Sequence, residues 1–288
     1  MPGDLELVSE WRHFGGWMRQ YAHESAAVGG LKMTFNVYLP PQAETGPVPV
    51  IYYLAGLTCT GETGAQKGHF AKAAAQRGVA IVYPDTSPRG AGVAGEDDDW
   101  DFGTGAGFYV DATQQPWSKH YRMYTYVREE LPALVTEHLP IRKGKAGIFG
   151  HSMGGHGALT LAMRNTDKYA SVSAFAPICN PLEVPWGVKA LKGYLGDDRA
   201  TRAEYDATNL MLEKGPFPSL GTILVDQGKA DKFLDQQQLT PHVLQEACEK
   251  KGQSMQLRIH EGYDHSYYFV SSFGEEHINF HADALATL

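Results

Sequence analysis

The 288-residue sequence has little cysteine, and its three cysteines form no recognisable pattern. Cys59, Cys179 and Cys248 are an odd number, lie far apart in the chain and include no Cys-x-x-Cys pair. Neither a disulfide framework nor a zinc site matches that count and spacing. We therefore expect the protein in a reducing compartment, the cytoplasm.

Positive charge is also scarce. Lys and Arg number 25 against 33 Asp and Glu, which leaves a net charge of −8 with His neutral. A protein that binds nucleic acid or an anionic membrane surface needs a basic patch to face the phosphates. The sequence therefore predicts no nucleic-acid partner and no membrane partner.

Long hydrophobic runs are missing as well. The longest strongly apolar stretch, from Val48 to Leu57, is too short to cross a bilayer. The first thirty residues are interspersed with charges and contain no apolar core of a secretory signal. Hydrophobic residues still make up 43 % of the chain, so we expect a soluble protein with a substantial core.

Signals for several other classes of protein are absent. The histidines are scattered, with no His-Glu-x-x-His, and no nucleotide-binding fingerprint follows the early strands, so we expect no metal and no cofactor. No linker-like stretch or internal repeat divides the sequence. We therefore predict a single domain over residues 1–288.

Short apolar runs alternate with helix-length segments along most of the chain. An alternating stretch from Met33 to Val37 predicts a peripheral antiparallel strand. Buried strands are then predicted at Val48–Leu54, Val79–Tyr83, Ala146–Phe149, Val172–Ala176, Thr222–Asp226 and Met255–His260. Helices are predicted at Gly64–Gly78, Tyr124–His138 with a kink at Pro132, Gly155–Asn165, Asp235–Lys251 and Ser266–Leu288. This rhythm predicts a mostly parallel central sheet with helices on both faces.

Two stretches, residues 86–115 and 177–220, do not follow that rhythm. Insertions of this length in a compact domain are usually functional or carry small helices of their own. Ligands of open α/β sheets collect outside the carboxyl ends of the strands, and we expect both insertions there.

The segment Gly150-His-Ser-Met-Gly154 matches the Gly-x-Ser-x-Gly pattern of a serine nucleophile. A predicted strand precedes it and a predicted helix follows it, as the sharp turn that exposes the hydroxyl of Ser152 requires. A glycine-rich phosphate-binding turn or a purely structural turn is the alternative for the pentapeptide alone.

A serine nucleophile needs a base and an acid that orients the base. The acid is expected after a late strand, where Asp226, Asp231 and Asp235 compete. We choose Asp231, because Asp226 at the strand end can serve the turn made by the next two residues, and Asp235 is expected on an exposed helix.

The base is expected after the last strand, in the loop that contains His265. His260 still belongs to the predicted strand, and His277 and His281 fall on the closing helix. A lone histidine is usually a surface or core residue, but the position of His265 in a Gly-containing loop favours the catalytic role.

Two backbone N–H groups must also face the oxyanion of the transition state. One normally belongs to the residue after the nucleophile, here Met153. The other comes from the loop after the first buried strand, where Gly56 lets the backbone approach closely and Leu57 is the candidate donor.

Several longer motifs resemble those of the S-formylglutathione hydrolases, the esterase D family, over nearly the whole chain. They include the stretches at 54–60, 100–112 and 150–157, the Asp-Gln-Gly at 226–228 and the stretch at 262–269. The differences are mild: Ala55 stands where Ser is common in the family, and Ala230 replaces a frequent acidic residue. Neither touches a proposed catalytic group.

The resemblance implies a single α/β-hydrolase domain with a Ser152/Asp231/His265 triad and oxyanion donors at Leu57 and Met153. It implies hydrolysis of the small molecule S-formylglutathione to formate and glutathione in formaldehyde detoxification, and a homodimer. The alternatives are a short-chain carboxylesterase or an acyltransferase of the same fold, and a hydrolase-like binding module without activity.

Two further residues are pocket candidates. Cys59 lies just beyond Leu57 and could make the site sensitive to thiol reagents, or it could be a small packing residue. Trp186, in the second insertion, could line the substrate cleft or anchor local packing. The acidic run Glu96–Asp99 is expected to be a solvated loop, because it would repel glutathione carboxylates in a cleft.

Overall fold

One sheet organises the described part of the chain. A computed structural model of the protein describes residues 4–288. Its strands are β1 (Glu6–His13), β2 (Gly16–Ser25), β3 (Leu31–Leu39), β4 (Val50–Leu54), β5 (Ala80–Pro84), β6 (Ala146–His151), β7 (Tyr169–Phe175), β8 (Ile223–Gly228) and β9 (Met255–His260). Their order across the sheet is β1-β2-β3-β5-β4-β6-β7-β8-β9.

The sheet is parallel over its larger part. Strands β4 to β9 all run in the same direction, whereas β1, β2 and β3 form an antiparallel meander that joins the parallel part at β5. The parallel strands are short, and β4, β5, β6 and β8 are buried along their whole length. Strands buried on both faces require helices above and below the sheet.

The helices connect these strands and cover both faces. They are α1 (Gly61–Lys67), α2 (Ala71–Arg77), α3 (Met123–Thr125), α4 (Leu131–His138), α5 (Met153–Arg164), α6 (Pro185–Leu195), α7 (Arg199–Ala203), α8 (Ala207–Lys214), α9 (Lys232–Asp235), α10 (Pro241–Lys251) and α11 (Tyr267–Ala286). A π-helical turn, Tyr126–Glu130, joins α3 to α4, and short 3₁₀ turns lie at Pro41–Glu44 and Pro218–Leu220. No helix within residues 4–288 has the length and apolar character that a membrane crossing requires.

Strand β6 shows how the two faces are covered. A Cβ at Gly147 would lie 2.8 Å from Nδ1 of His281 on α11, and one at Gly150 would lie 2.2 Å from the carbonyl oxygen of Gly154 on α5. Residues 147 and 150 point to opposite faces, because side chains alternate along a strand. The predicted mostly parallel sheet with helices on both faces is confirmed, and the arrangement is that of an α/β-hydrolase fold.

The hairpin of β1 and β2 was not predicted from the sequence. Nearly all of β1 is exposed on both faces, so its residues lack the apolar alternation that marks a half-buried strand. Backbone pairing with β2 holds it, through a two-residue turn at Phe14 and Gly15. Both turn residues have positive φ, as hairpins with two-residue loops prefer.

The helix predicted over Gly64–Gly78 is two helices. It breaks between α1 and α2 at His69, which has a φ of 57°. The break turns Phe70 into the core, where its ring packs against Tyr53 and Phe149 at centroid distances of 5.0 and 4.9 Å. Burial of this large ring outweighs the helical preference of the alanine-rich sequence.

Proline sets two other helix boundaries. The helix predicted over Asp235–Lys251 begins only at Pro241, as α10, because Pro241 fits the first turn of a helix but not its interior; Asp235 instead ends the short helix α9. The kink predicted at Pro132 is the π-helical turn that ends where α4 begins. A wider turn accommodates the missing N–H of a proline without ending the helix.

The two insertions differ in structure. Residues 177–220 carry α6, α7 and α8, of which α8 packs on α5 and α10. Residues 86–115 carry no regular helix or strand. The solvated loop predicted at Glu96–Asp99 is wrong for Glu96, which is buried and accepts hydrogen bonds from the Gly92 N–H and the Tyr121 hydroxyl.

Candidate active site

The segments that carry the predicted catalytic residues all follow the carboxyl ends of parallel strands. Ser152 comes directly after β6, Asp231 follows β8, and His265 follows β9. The loop with Leu57 follows β4, which pairs with β6. These strands are in one parallel sheet, so the four loops meet at the same edge, where open α/β sheets bind their ligands.

Ser152 occupies a strained turn between β6 and α5. Its φ is 58° and its ψ is −118°, a combination that non-glycine residues rarely adopt. The flanking glycines are required by close approach, because a Cβ at Gly154 would lie 1.9 Å from the carbonyl oxygen of Leu54. Only glycine fits at positions 150 and 154, and the sharp turn between them presents the Ser152 side chain at the sheet edge.

Asp231 is fully buried and is held by three groups. Its Oδ1 accepts a hydrogen bond of 2.8 Å from the backbone N–H of Phe233, as the N-cap of α9. Its Oδ2 accepts one of 3.1 Å from Nε2 of Gln227 and lies 2.5 Å from Nδ1 of His265. The carboxylate is therefore fixed in the orientation that binds the histidine ring.

His265 lies between Asp231 and the serine turn. Its ring packs on that of His151, which precedes Ser152, at a centroid distance of 4.5 Å, and meets the edge of Phe233 at 4.9 Å. With Nδ1 bound to the carboxylate, Nε2 is the nitrogen left for chemistry. No hydrogen bond within residues 4–288 joins the Ser152 hydroxyl to His265, a contact that often tightens only when substrate is bound.

Both predicted oxyanion donors keep a free backbone N–H. Within the described chain, neither the N–H of Leu57 nor that of Met153 donates to a protein acceptor. The two loops are in contact, because a Cβ at Gly56 would lie 3.2 Å from Cβ of Ser152. An unpaired N–H on each side of a serine hydroxyl is the arrangement that an oxyanion requires.

Residues of the first insertion hold the Leu57 loop and helix α5 in place. The hydroxyl of Tyr109 donates a hydrogen bond of 2.9 Å to the carbonyl of Ala55, and Nε2 of His156 lies 2.9 Å from the carbonyl oxygen of Phe108. The N–H of Thr58 donates to the carbonyl of Gly105 at 2.9 Å. Residues 105–109 therefore fix the loop of the Leu57 donor relative to α5.

His151 is buried beside the catalytic histidine. Burial and, secondarily, the neighbouring His265 hold the pKa of His151 well below its ordinary value. Neither ring nitrogen of His151 has a hydrogen-bond partner among residues 4–288. It is therefore a neutral ring that packs between His265 and Tyr267.

Cys59 is part of the same region. Burial raises the pKa of its thiol, against the opposing effects of a hydrogen bond to Thr63 and the charge of Lys67. Its carbonyl accepts hydrogen bonds from the Thr86 hydroxyl and from the Arg89 guanidinium. The residue is partly exposed, so it is neither a fully buried packing residue nor an activated thiolate.

Trp186 is 7 % exposed and belongs to an aromatic row that ends at the catalytic histidine. The ring of Trp100 meets Trp186 at 5.7 Å, Trp186 meets Phe233 at 4.7 Å, and Phe233 meets His265. The second insertion thus reaches the site through Trp186. Sequence reasoning did not identify Phe233 or Gln227; the only signal was the Asp-Gln-Gly motif that contains Gln227.

The sequence assignment of Asp226 to a turn is wrong. Its buried carboxylate accepts two hydrogen bonds of 2.6 Å from Arg258 and lies 3.2 Å from Nε2 of His277. Burial alone would raise the pKa of Asp226, but His277 and Arg258 outweigh it and lower that pKa. Asp235 is exposed, as predicted.

Comparisons with known proteins agree with this geometry. The sequence profile of the family described as "Putative esterase" matches residues 25–280. An S-formylglutathione hydrolase of Paracoccus denitrificans is 52 % identical over 280 residues, which cover 97 % of this chain and 98 % of that protein. One of Bos taurus is 51 % identical over 281 residues, with 98 % and 99 % covered.

The solved structures include a similar fold. The structure of an S-formylglutathione hydrolase from Agrobacterium tumefaciens matches with a TM-score of 0.93 and 46 % sequence identity, over 97 % of this chain and 99 % of that one. A ferulic acid esterase, 19 % identical with a TM-score of 0.71, shares the fold alone.

Proposed function

The chain belongs to the S-formylglutathione hydrolase family, and we propose that it hydrolyses the thioester S-formylglutathione to formate and glutathione through Ser152, His265 and Asp231. The observation that carries the assignment of residues is the 2.5 Å contact between Asp231 and His265 beside the serine turn. The reaction is a step of formaldehyde detoxification.

The first half of the reaction forms a formyl-enzyme. Oγ of Ser152 attacks the thioester carbonyl while Nε2 of His265 takes its proton. Asp231 holds the ring in the correct tautomer and stabilises the imidazolium. The N–H groups of Leu57 and Met153 bind the tetrahedral oxyanion, each being worth about 3–4 kcal/mol in such sites. The carbon–sulfur bond then breaks, and His265 returns the proton to the departing sulfur.

The second half hydrolyses the formyl-enzyme. His265 takes a proton from water, whose oxygen attacks the formyl carbon, and the same two N–H groups bind the second oxyanion. Collapse releases formate and returns the proton to Ser152. Because a formyl carbon bears only hydrogen, the acyl side of the site need only be small, and we expect short acyl esters to react and large ones not to.

Cys59 and Trp186 are proposed to border the substrate. Cys59 is in the loop that carries Leu57, and Trp186 packs on Phe233, which contacts His265. Neither side chain is a charged type. Modification of Cys59 would place a bulky group at the site, so we expect thiol reagents to inhibit by blocking the pocket and not by removing a nucleophile. Trp186 and Phe233 together form an apolar wall of the site next to His265.

We also propose a homodimer in the cytoplasm. The dimer rests on the resemblance to the family. The compartment is supported by the cysteines, since Cys59, Cys179 and Cys248 are all free thiols and a reducing environment keeps them so.

The first test compares two substrates and two proteins. Wild-type enzyme and Ser152→Ala are assayed for loss of the S-formylglutathione thioester and for cleavage of a short-chain aryl ester. We expect fast thioester cleavage by the wild type and a fall in kcat of about a thousandfold or more on both substrates in the variant. Alanine removes only the hydroxyl, so an unchanged melting temperature is the control for folding.

Two results would change the conclusion. Poor thioester cleavage beside fast ester cleavage would replace the function by that of a general short-chain carboxylesterase with the same triad. Full activity of Ser152→Ala would remove the nucleophile assignment, and a protein with neither activity would be a binding module.

A further inference from the structure

A groove beside the catalytic histidine is left unused by the triad and the oxyanion donors. It has a volume of about 550 Å³ and lies between the end of α1 and the first turns of α11. Its lining residues are Gln66, Lys67, His69, Ser266, Tyr267, Tyr268 and Ser271. Binding sites for small ligands typically enclose roughly 300–1,000 Å³, so the groove can hold a tripeptide.

The two walls of the groove come from the two catalytic loops. Helix α1 begins just after the loop that carries the Leu57 donor, and α11 begins two residues after His265. Tyr267 separates the groove from the serine turn: its ring lies 5.5 Å from that of His151, and its hydroxyl is 2.9 Å from that of Tyr53. A ligand in the groove would therefore reach the reacting atoms along one side of His265.

The mechanism places the leaving group next to His265. Because His265 returns its proton to the departing sulfur, the sulfur must sit within hydrogen-bond reach of Nε2 of His265. From that position the rest of the leaving group can extend past the residues that follow His265. Those residues, Ser266 to Tyr268, form one wall of the groove.

The charge of the groove is opposite to that of the protein. Its lining residues include Lys67 and His69 but no carboxylate, whereas the whole chain has a net charge of −8. Lys67 makes no ion pair with any residue in 4–288. The adjacent Asp264 is outside the lining, and its carboxylate accepts hydrogen bonds from the N–H and hydroxyl of Ser266.

We propose that this groove binds the glutathionyl part of the substrate and that Lys67, with His69, binds its carboxylates. The tripeptide carries two carboxylates and one ammonium group, so an unpaired lysine in a groove without acidic residues suits it. The exposed ring of Tyr268 supplies an apolar surface for its backbone. This assignment rests on the proposed function, and it makes Lys67 a specificity residue that touches the leaving group and not the reacting atoms.

The test separates the tripeptide from the chemistry. Lys67→Met keeps the apolar stem and removes the charge. Lys72→Met is the matched control, because Lys72 is exposed, lies outside the groove and makes no ion pair with any other described residue. We expect KM for S-formylglutathione to rise about two- to fivefold in Lys67→Met, the range of a partly exposed ion pair, with kcat nearly unchanged. Lys67→Glu should raise it further, by about tenfold. Neither should change kcat/KM for a neutral aryl ester.

A second measurement needs no thioester turnover. S-Methylglutathione has a thioether in place of the thioester, so the enzyme cannot hydrolyse it. It is used to inhibit cleavage of the neutral ester. We expect its inhibition constant to rise in Lys67→Met and not in Lys72→Met, and a carboxylate introduced by Ser271→Glu to weaken inhibition more than Ser271→Gln does.

The outcomes distinguish the two proposals. If wild-type enzyme cleaves S-formylglutathione well and Lys67→Met matches it in KM and in inhibition, the groove proposal is wrong and the proposed function stands. If the wild type does not cleave the thioester, the proposed function is wrong. If inhibition by S-methylglutathione is then also the same in Lys67→Met as in the wild type, the groove proposal is wrong as well.

Discussion

Two aspartates five positions apart show how environment assigns roles to identical side chains. Asp226 and Asp231 are both fully buried on the same stretch of chain. Asp226 is bound by Arg258, so its charge is neutralised by a permanent partner. Asp231 makes no ion pair with Lys or Arg within residues 4–288, and its partner is His265, the base of the proposed reaction. Only the second aspartate can respond to the protonation of a base.

Asparagine at position 231 tests that assignment. Asp231→Asn can no longer stabilise the imidazolium and favours the wrong tautomer of His265, so we expect kcat to fall by roughly 10³–10⁴ on both thioester and aryl ester. The measurement is steady-state kinetics near neutral pH. Asp235→Asn, the exposed competitor four residues on, is the control and should retain full activity. Equal losses in both variants would contradict the role of Asp231.

At the scale of single residues, the sequence identified those with strong local signals. Ser152 lies in a strand–turn–helix motif, and His265 follows the last strand, so position along the chain is informative for both. Phe233 and Tyr267 act through packing against rings from distant segments. No local pattern encodes such contacts, because they depend on how separate loops meet at the sheet edge.

Helix α11 links the catalytic loop to the interior of the sheet. Ser266, its N-cap, follows His265 directly, and two histidines further along the helix are buried. Nδ1 of His277 lies 2.8 Å from Oγ of Ser173, and Nδ1 of His281 lies 2.7 Å from Oγ of Ser171. Through its second nitrogen, His277 also reaches Asp226. A chain of hydrogen bonds thus joins β7, β8 and α11.

Removal of the Asp226 charge should loosen this connection. Asp226→Asn leaves the Arg258 guanidinium with a weaker acceptor in a partly buried position, and we expect a loss of about 2–3 kcal/mol in the free energy of unfolding. Arg258 is about a quarter exposed and also binds Glu276, which limits the loss. The measurement is urea denaturation at pH 7.

An exposed ion pair provides the comparison for that experiment. Arg12 and Glu44 are more than half exposed, so Glu44→Gln should cost less than about 1 kcal/mol. Folded Asp226→Asn should keep most of its kcat, because Asp226 does not touch His265. A loss of activity as large as that of Asp231→Asn would mean that Asp226 belongs to the catalytic machinery.

The elements themselves were predictable to different degrees. The parallel strands and α5 were predicted because buried strands and a glycine-rich turn leave clear patterns. The exposed β1 was not, since backbone pairing and exposed side-chain contacts such as Arg19–Glu10 and Lys32–Glu6 hold it without an apolar pattern. The break at His69 divides one predicted helix, because a core contact outweighs helical propensity, and another begins only at Pro241, because proline lacks the N–H that a helix interior needs.

The molecule as a whole encloses several histidines. Burial is the main cause that lowers the pKa of all five buried histidines, His23, His151, His156, His277 and His281, as it also does for the less buried His13. For His156 the pKa falls to about 4. The five buried side chains come from β2, β6, α5 and α11, so the effect belongs to the whole fold and not to one site.

Acid should therefore destabilise the fold well above the pH at which carboxylates titrate. Between the lowered folded pKa values and the ordinary unfolded value near 6.5, the unfolded chain binds more protons, so stability falls as the pH falls. Each histidine can contribute up to about 1.4 kcal/mol per pH unit in that range. Asp206 opposes this, since burial raises its pKa to about 6 and the folded state then gains protons as the pH falls from 6 towards 4.

The five buried histidines outweigh this one carboxylate, so we expect the melting temperature to fall between pH 7.5 and pH 5.5 at constant ionic strength, most steeply below about pH 6.5. Scanning calorimetry measures it. The control is His156→Gln, since among residues 4–288 the ring of His156 has one hydrogen-bond partner, the carbonyl of Phe108. This variant should flatten the pH dependence of the unfolding free energy below about pH 6.5 by up to about 1.4 kcal/mol per pH unit, whatever its effect on stability at pH 7.5. A melting temperature that stays constant or rises over this range would mean that the buried rings accept protons in the folded state, contrary to their burial.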